Sequence, residues 1–260
     1  MTVTYLDRIV AAHRAAAQDE RRPLDALRDR AREMPPTRGF RTAIERTTGL
    51  AVVAEIKRRS PSKGDLNADL DPAVLAMTYE DGGACCLSVL TDHEFFGGSA
   101  HDLMEARTVT KLPVLRKDFT VSEHDVCDAR LMDADAVLLI AAALSADELG
   151  RYHQLAVDVG LDALVEIHDE RELERAVDVG ATMIGVNQRD LVTFAVDHER
   201  ALRMASLIPS SAVKIAESGV RHAADALALR DAGYDAVLVG ETLVTSADPY
   251  RTIQELKGEL

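Results

Sequence analysis

Short apolar runs recur along the chain, and most of them follow a glycine or an alanine–aspartate pair at the end of a helical pattern. Examples are "DGGACCLSVL", "VGATMIGVN" and "AGYDAVLVG". These runs lack the strict alternation of a half-exposed strand, which is typical of parallel strands buried on both faces. Glycine at the joins suits the left-handed turn that ends a helix. We predict eight strands, at about 50–57, 84–90, 112–117, 135–140, 162–167, 182–187, 211–217 and 235–240.

Helical patterns fill the intervals between the predicted strands. Asp71–Pro72 is typical of a helix N-terminus, and Ser145 with Glu148 has the spacing of a capping box. Regular strand–helix alternation predicts right-handed crossovers and a parallel sheet. Eight such units favour an α/β fold, a closed (β/α)8 TIM barrel, and an open doubly wound sheet is the alternative.

The N-terminal segment lies outside this repeat. Helical patterns at 5–20 and 23–34 stop at Pro35–Pro36, and a third short one follows near "FRTAIERTT". We expect residues 1–48 to be an N-terminal helical extension packed on a barrel of residues 49–260, with the whole chain forming a single domain. The pattern leaves open whether the extension reaches the active site.

Composition narrows the classes of protein to which the chain can belong. Its formal net charge of −14 argues against a nucleic-acid partner, which would need a broad basic surface. The sequence contains no apolar run of about 18 residues, so we predict no membrane span. Three cysteines cannot form a disulfide framework and indicate small buried residues in a reducing cytoplasm. An anionic ligand would therefore be bound by a local group of cations.

Recognisable metal and cofactor motifs do not occur in the sequence. His168 follows Glu166 by two residues, but no further histidine or cysteine stands at a metal-ligand spacing from it. Neither a Walker loop nor a dinucleotide-binding glycine pattern is present. We therefore expect no metal ion, and no nucleotide bound by either of these motifs.

Charged and amide side chains end five of the predicted strands, where a barrel of this type carries its chemistry. Glu55 and Lys57 are two residues apart at the end of the first strand, so both point to one face. Arg58 lies out of phase with Lys57 and should point away from the barrel axis in a structural role. The further strand ends carry Lys117, Glu166, Asn187 and Glu217.

Convergence of these side chains would create an acid–base site. Each of them alone is best explained as a solvated charge at a strand end. Five strands that all end in polar side chains indicate more than solvated charges. Buried charges are costly unless they are paired with charges of opposite sign, so such a set suggests a site. If the faces point inward, two lysines, three carboxylates and an amide meet at one mouth, where each would shift the pKa of its neighbours.

Small glycine-containing turns, "ESGV" and "VGET", follow the last two predicted strands. In (β/α)8 barrels the loops after the seventh and eighth strands form a phosphate cradle from backbone N–H groups. Glycine also closes ordinary tight turns, but the two turns together favour a phosphorylated ligand. The backbone at Ser218–Gly219 and Gly240–Glu241 would bind its phosphate.

Aromatic residues are few, with five Phe and no Trp in the chain. Phe95, Phe96 and Phe119 fall in the loops after the second and third predicted strands. Their position favours an apolar or aromatic part of the ligand. The alternative is that they pack beneath the N-terminal helices.

In these motifs the sequence resembles the indole-3-glycerol phosphate synthase family of tryptophan biosynthesis. The matching segments are "AEIKRRSPSKG", "SVLTD" with "FFGGS", "LPVLRKDF", "ADAVLLIAAAL", "LVEIHDE", "IGVNQRDL", "VKIAESGV" and "DAVLVGETLV". They occur in the family's order over about residues 51–250. Their conjunction is more specific than any single motif, because several sugar-phosphate barrels share the last two loops.

The resemblance implies a carboxy-lyase that needs no cofactor. Its substrate would be 1-(2-carboxyphenylamino)-1-deoxyribulose 5-phosphate, a phosphorylated small molecule. Ring closure with loss of carbon dioxide and water would give indole-3-glycerol phosphate. The resemblance also implies a cytoplasmic enzyme, and it raises association with other tryptophan-pathway enzymes as a hypothesis.

The resemblance further implies a role for each matching residue. Lys117 would be the general acid that protonates the ribulose carbonyl. Glu166 and Glu55 would transfer protons during dehydration, and Lys57 would pair with Glu55. It leaves open which of Lys117, Lys57 and Glu166 is the acid in the final dehydration. The orienting groups would be Asn187 and Glu217, and the binding groups would be Ser60, Phe96, Phe119, Arg189, Ser218, Gly219, Gly240 and Glu241.

Two positions depart from the family's pattern. Gly97 stands where many members have an amide before the Gly-Ser of the loop, which removes one polar contact to the substrate. Glu241 stands where small hydroxyl residues also occur. Because a carboxylate repels a phosphate, we expect Glu241 to offer its backbone N–H with the side chain turned away.

Three other functions are compatible with a sugar-phosphate barrel. A Schiff-base aldolase would use Lys117 as its nucleophile, and an isomerase is a second enzyme of this kind. A catalytically silent barrel would bind phosphorylated ligands for regulation or assembly. The retention of Lys117, Glu166 and Glu217 together argues against the silent barrel.

Overall fold

Eight parallel strands close into a barrel in the computed structural model, which describes residues 4–61, 63–190, 192 and 194–260. Each strand pairs with the next along the chain, and the first also pairs with the last. The (β/α)8 barrel is therefore confirmed, and the strand ends differ from the predicted ones by at most two residues. The strands are β1 (Ala51–Ile56), β2 (Cys86–Leu90), β3 (Val114–Lys117), β4 (Ala136–Ile140), β5 (Asp162–Ile167), β6 (Met183–Asn187), β7 (Val213–Glu217) and β8 (Ala236–Val239).

Helices precede the barrel and cover its outside. None of the helices in the described part of the chain is both long and apolar enough to cross a membrane. An antiparallel hairpin of Arg59–Ser60 and Gly64–Asp65, which the sequence did not predict, follows β1. The helices are α1 (Tyr5–Gln18), α2 (Leu24–Arg32), α3 (Phe40–Glu45), α4 (Pro72–Asp81), α5 (Ala100–Val109), α6 (Glu123–Leu131), α7 (Ala146–Asp158), α8 (Glu170–Asp178), α9 (His198–Met204), α10 (Ala223–Asp231), α11 (Glu241–Val244) and α12 (Pro249–Lys257).

Side-chain caps explain where several of these helices begin. The Asp71 carboxylate accepts hydrogen bonds from the backbone N–H groups of Ala73 (2.9 Å) and Val74 (3.0 Å) at the start of α4. Ser145 and Glu148 form the predicted capping box at the start of α7. Each cap satisfies N–H groups that have no partner inside the helix and contributes about 1 kcal/mol.

An apolar layer fills the interior of the barrel and supports the polar strand ends above it. Leu115, Leu164 and Ile215 are buried inside the barrel, in one cluster with residues of the other strands. Side chains two residues further along a strand point to the same face. Lys117, Glu166 and Glu217 therefore also point inward, one layer closer to the C-terminal mouth.

Helix α3 closes the opposite, N-terminal end of the barrel. Phe40 and Ile44 are 0% and 2% exposed and pack in the same interior cluster as Ala51, Val213 and Ala236. The Cys86 thiol donates to the backbone carbonyl of Phe40. A short helix with two apolar side chains thus excludes water from the N-terminal end.

A buried carboxylate joins the segment before α3 to the barrel. Asp135, which is 0% exposed, accepts hydrogen bonds from the backbone N–H groups of Arg38 (2.7 Å) and Val114 (2.8 Å). The Arg107 guanidinium lies 3.1 Å from the same carboxylate. Because one side chain accepts from two backbone N–H groups and pairs with a buried cation, it holds the extension against the N-terminal face of the barrel.

Replacing Asp135 by asparagine is expected to lower the free energy of unfolding by about 3 kcal/mol. The amide would direct N–H groups at a buried N–H donor, and Arg107 would lose a buried counter-charge. Chemical denaturation measures the change. Asp133→Asn is the control, because Asp133 also pairs with Arg107 but is 47% exposed and should contribute less than about 1 kcal/mol. Equal denaturation midpoints for the two variants would contradict the anchoring role of Asp135.

Candidate active site

A cavity of about 460 Å³ opens at the C-terminal mouth of the barrel. Its size is within the range of small-molecule sites. The structure brings all of the site residues proposed from the sequence into its lining. They are Glu55, Lys57, Ser60, Phe96, Lys117, Phe119, Glu166, Asn187, Arg189, Glu217, Ser218, Gly219, Gly240 and Glu241.

Cations and carboxylates alternate around the floor of this cavity. The Lys117 ammonium lies 3.5 Å from the Glu166 carboxylate and 3.9 Å from the Glu217 carboxylate. Lys57, which directly follows β1, donates a hydrogen bond to Glu55 of the same strand. The Asn187 amide donates to Glu166 Oε1 at 3.1 Å. Each buried charge therefore has a partner of opposite sign, as burial requires.

Lys117 is held in its protonated form. Burial alone would lower the pKa of the lysine, but the charges of Glu166, Glu217 and Glu55 raise it above the ordinary value. The side chain is only 17% exposed, so water screens these attractions weakly. At neutral pH the cavity therefore contains a charged proton donor next to potential acceptors.

Glu166 and Glu217 have opposite pKa shifts. Burial and the adjacent charge of Glu166 raise the pKa of Glu217 well above its ordinary value. Burial also opposes ionisation of Glu166, but Lys117 and His168 lower its pKa below the ordinary value. Two carboxyl groups this close cannot both ionise easily. Glu166 is thus the more readily ionised member and suits a proton acceptor, whereas Glu217 holds its proton more tightly.

The turn after β7 lines the cavity with Ser218 and Gly219. Ser218 and Gly219 have successive left-handed conformations with φ of 68° and 78°. A Cβ atom on Gly219 would lie 2.5 Å from a methyl group of Val196, so this position requires glycine. The side chain of Gln188 donates to the Ser218 carbonyl at 2.7 Å and holds the turn. Such a turn is a concave site for an anion.

A hydroxyl group links this turn to the loop after β8. Thr242 donates from Oγ1 to the backbone carbonyl of Val220 at 2.6 Å. Both residues line the cavity together with Gly240. The two glycine-containing turns noted in the sequence therefore face one side of the same cavity.

Aromatic side chains form the opposite wall of the cavity. The rings of Phe96 and Phe119 line it, and their centroids are 6.1 Å apart. Phe95 instead packs edge-on against Tyr5 of α1, with centroids 5.9 Å apart. Both explanations offered for these aromatic residues thus hold, each for different residues.

Helix α1 also contributes to the cavity, which the sequence left open. Tyr5, Leu6 and Ile9 line it. The amphipathic pattern of α1 indicated a buried face, but it could not indicate which surface covers that face. The extension therefore reaches the site and forms part of its apolar wall.

His13 attaches α1 to the aromatic wall. Its Nε2 atom lies 2.9 Å from Asp92, whose other oxygen accepts from the backbone N–H groups of Phe95 and Phe96. The His13 ring also packs against Phe119, with centroids 5.5 Å apart. One side chain of the extension therefore orients the loops that carry both cavity phenylalanines.

His13, Asp92 and Asp118 form a group whose ligand atoms lie within 4.8 Å of one another, as a metal site would require. The carboxylates, however, already accept hydrogen bonds. Asp118 accepts from Arg116 at 3.0 Å and from its neighbour's N–H at 2.8 Å. These partners explain the cluster as a polar anchor of the mouth loops.

Charged side chains at the rim depart from one expectation. Glu241 lies 3.8 Å from Arg189 and 3.5 Å from Lys63, measured between carboxylate oxygens and side-chain nitrogens. Its carboxylate is held at the rim by two cations and is not turned away from the cavity. At Gly97 the neighbouring polar group is that of Arg59, whose Nε would lie 3.5 Å from a Cβ atom at that position.

Arg58 has the structural role expected from its phase. It donates to the Leu70 carbonyl at 2.5 Å and to the Asp102 carboxylate at 2.9 Å. Both of these partners lie away from the barrel axis. The basic stretch after β1 therefore divides into Lys57, which faces the cavity, and Arg58, which supports the loop behind it.

Comparisons with known proteins connect this geometry with a family. The family model described as "Indole-3-glycerol phosphate synthase" matches residues 6–256. The "Indole-3-glycerol phosphate synthase" of Mycolicibacterium vanbaalenii is 46% identical over 257 residues, which cover 98% of this chain and 94% of that protein. "Indole-3-glycerol phosphate synthase 1" of Streptomyces coelicolor is 48% identical over 256 residues, which cover 98% of this chain and 95% of that protein.

A solved structure resembles the fold at much lower sequence identity. Thiamine phosphate pyrophosphorylase from Pyrococcus furiosus matches with a TM-score of 0.60 over 80% of this chain and 94% of that chain. The sequences are 16% identical. This likeness supports the barrel fold alone.

Proposed function

Because the chain belongs to the indole-3-glycerol phosphate synthase family and is a carboxy-lyase, we propose that it closes the indole ring of 1-(2-carboxyphenylamino)-1-deoxyribulose 5-phosphate. The observation that carries the proposal is the Lys117–Glu166–Glu217 cluster, which faces one cavity beside two glycine turns. The cavity would combine a protonated donor (Lys117), a proton acceptor (Glu166) and backbone N–H groups for a phosphate.

The two ends of the substrate would be bound by different walls. Its phosphate would meet the N–H groups at Ser218–Gly219 and Gly240–Glu241. Its aromatic ring would lie against Phe96 and Phe119. Arg189 would move from Glu241 to the carboxylate of the substrate. A short charge-assisted hydrogen bond is stronger than the present pair with Glu241, whose atoms are 3.8 Å apart. Ser60 would close the mouth from the hairpin side.

Ring closure would use Lys117 as general acid. The ring carbon that bears the carboxylate attacks the ribulose carbonyl, and the carbonyl oxygen takes a proton from Lys117 as the C–C bond forms. A lysine with a raised pKa is a weak acid, but a developing alkoxide is a far stronger base, so the transfer remains favourable. Loss of carbon dioxide then returns the electron pair to the ring, which becomes aromatic again.

Dehydration would use the carboxylates. Glu166 accepts a proton from the carbon next to the aniline nitrogen while the new hydroxyl leaves as water with a proton from the site. Glu55, which is paired with Lys57 at the end of the same strand, would carry the accompanying proton transfer. Asn187 and Glu217 would donate hydrogen bonds that orient Glu166 and the substrate hydroxyls.

The protonation state of Lys117 argues against the Schiff-base aldolase. A lysine that attacks a carbonyl must be neutral, and its pKa is normally lowered by an apolar pocket or a nearby cation. Three carboxylates raise the pKa of Lys117 instead. The residue therefore suits a proton donor better than a nucleophile.

Turnover of the synthetic substrate tests the proposed function. The purified protein is expected to convert 1-(2-carboxyphenylamino)-1-deoxyribulose 5-phosphate into an indole product, followed by indole fluorescence. Binding of the substrate without product would overturn the proposal. Borohydride treatment in the presence of substrate should leave Lys117 unmodified, and a trapped adduct on this lysine would favour the aldolase.

We also infer that residues 1–48 and 49–260 function as a single domain. The cavity is lined by Tyr5, Leu6 and Ile9 as well as by the barrel, and Arg14 forms a 2.7 Å ion pair with Glu148 of α7. An extension that completes the site is not an independent unit.

A further inference from the structure

A buried histidine lies directly behind the proposed proton acceptor. His168 follows Glu166 by two residues just beyond β5, so it extends on the same side of the chain. Its side chain is 12% exposed and does not line the cavity. Its Nε2 atom lies 3.6 Å from Glu166 Oε1 and has no hydrogen-bond partner among the described residues.

Glu172 of α8 holds this histidine in one orientation. Glu172 Oε2 lies 3.1 Å from His168 Nδ1 and also accepts from the backbone N–H of His168 at 2.8 Å. Because a carboxylate only accepts hydrogen bonds, the proton of the ring must stand on Nδ1. A neutral ring would therefore direct the lone pair of Nε2 at Glu166, and two acceptors would face each other in a buried site.

Protonation of the ring removes this conflict. An imidazolium donates from Nδ1 to Glu172 and presents Nε2–H to Glu166. The charged groups that face His168 are Glu166 from β5, Glu172 from α8 and Arg200 from α9. Burial lowers the pKa of His168 and Arg200 acts in the same direction, but the two carboxylates prevail and raise it.

We propose that the Glu172–His168 pair is a positioning element of the active site, which keeps Glu166 oriented and ionised by presenting an imidazolium to its outer oxygen. This inference rests on the proposed function, because it assigns His168 a part in the reaction through Glu166. Lys117 is the other cation beside Glu166, at 3.5 Å.

A second cation is needed because Lys117 changes charge during the reaction. When Lys117 gives its proton to the substrate carbonyl, Glu166 loses its nearest positive charge within the cavity. Burial would then favour protonation of Glu166 before the dehydration step. His168 lies outside the cavity lining and keeps its charge, so Glu166 remains available as a base.

Three variants test the pair, with a matched control on the surface. His168→Leu removes the charge and the hydrogen bond, His168→Gln retains a donor toward Glu166, and Glu172→Gln removes the carboxylate behind the ring. His101→Gln is the control, because His101 also forms an i,i+4 pair with a glutamate, Glu105, but is 73% exposed. Circular dichroism and thermal unfolding verify that each variant folds.

The expected result is a loss of kcat with little change in KM. His168→Leu should lower kcat by roughly 10- to 100-fold, as for other groups that orient a reacting residue. His168→Gln should recover part of this loss, and His101→Gln should match the wild type. If His168→Leu folds and matches the wild type in kcat, the positioning role is overturned. Failure of His168→Leu to fold would leave the test to His168→Gln and Glu172→Gln, which should still lower kcat.

The pH dependence separates this role from a structural one. Since the imidazolium is the active form, kcat should have its full value below the pKa of His168 and should decline as the pH rises through it. The declining limb should be absent in His168→Gln and should move to lower pH in Glu172→Gln, because Glu172 raises this pKa. A limb that stays in place in both variants would contradict the proposal.

Histidine NMR gives a readout that does not depend on turnover. The pKa of His168 should fall in Glu172→Gln and in Glu166→Gln, because each loses a facing carboxylate. If the wild type makes no product, the proposed function fails. Separately, an unchanged pKa of His168 in both variants would overturn the coupling of His168 with Glu166.

Discussion

Replacing Lys117 by alanine is expected to lower kcat by about a thousandfold while substrate binding is retained. The ammonium group lies between Glu166 and Glu217 and is the proposed proton donor to the ribulose carbonyl. Without it, the developing alkoxide meets Glu166 and Glu217 and lacks the cation that lies between them. The phosphate cradle at Ser218–Gly219 is unchanged, so KM should change little. Steady-state kinetics by indole fluorescence measures both constants.

Lys117→Arg separates proton donation from charge. Arginine keeps a cation beside the two carboxylates but cannot be deprotonated in a protein. It should therefore remain almost as inactive as the alanine variant while it binds substrate. Lys111→Ala, a change at an exposed lysine before β3, serves as control and should match the wild type. Near-normal turnover of either Lys117 variant would show that this residue is not the acid.

Adding a single methyl group at Gly185 is expected to lower kcat about a hundredfold. Gly185 lies in β6 below the polar layer, and a Cβ atom there would lie 2.0 Å from Glu217 Oε1 and 3.2 Å from Leu164 Cδ1. Backbone on both sides is held in the barrel sheet, so Glu217 must move instead. Displacement of Glu217 would disturb the hydrogen bonds and charges around Lys117 and Glu166. Overpacking should also lower the free energy of unfolding by about 1–3 kcal/mol.

Gly150→Ala is the matched control for this substitution. Gly150 lies in α7, and its Cβ atom would meet only Val179 at 3.8 Å, an ordinary contact. Alanine is the better helix former, so this variant should be fully active and up to about 1 kcal/mol more stable. Crystallography of Gly185→Ala would locate Glu217. A wild-type kcat in that variant would show that the position of Glu217 is not critical.

The barrel strands could be predicted because their environment leaves a strong pattern. A parallel strand with helices on one face and the barrel interior on the other is apolar throughout, so each appears as an uninterrupted run between helical patterns. Helix ends mark the joins with glycine or with capping side chains. The hairpin after β1 escaped prediction because its two strands have only two residues each, too few to show a period.

The candidate site was predicted only in part, and the missed residues share a cause. Lys117 and Glu166 could be found because they end strands of known direction. His168 was dismissed for lack of a metal-ligand partner, since its actual partners, Glu172 and Glu166, give no motif. Gly185 was unremarkable as one glycine in an apolar strand. These residues matter because of contacts with residues distant in the sequence, and such contacts produce no motif in the local sequence.

The sequence by itself determined the eight strands, their parallel direction and which terminal side chains share a face of their strand. Apolar periodicity and the two-residue alternation of a strand are local properties, which are legible without coordinates. Only the tertiary structure decided that α1 covers the mouth, that Phe96 faces the cavity while Phe95 packs on Tyr5, and that Glu241 pairs with Arg189 and Lys63. These facts depend on which distant surfaces meet, and on the pKa shifts that follow when charges are brought together away from water. Closure of the barrel brings those surfaces and charges together.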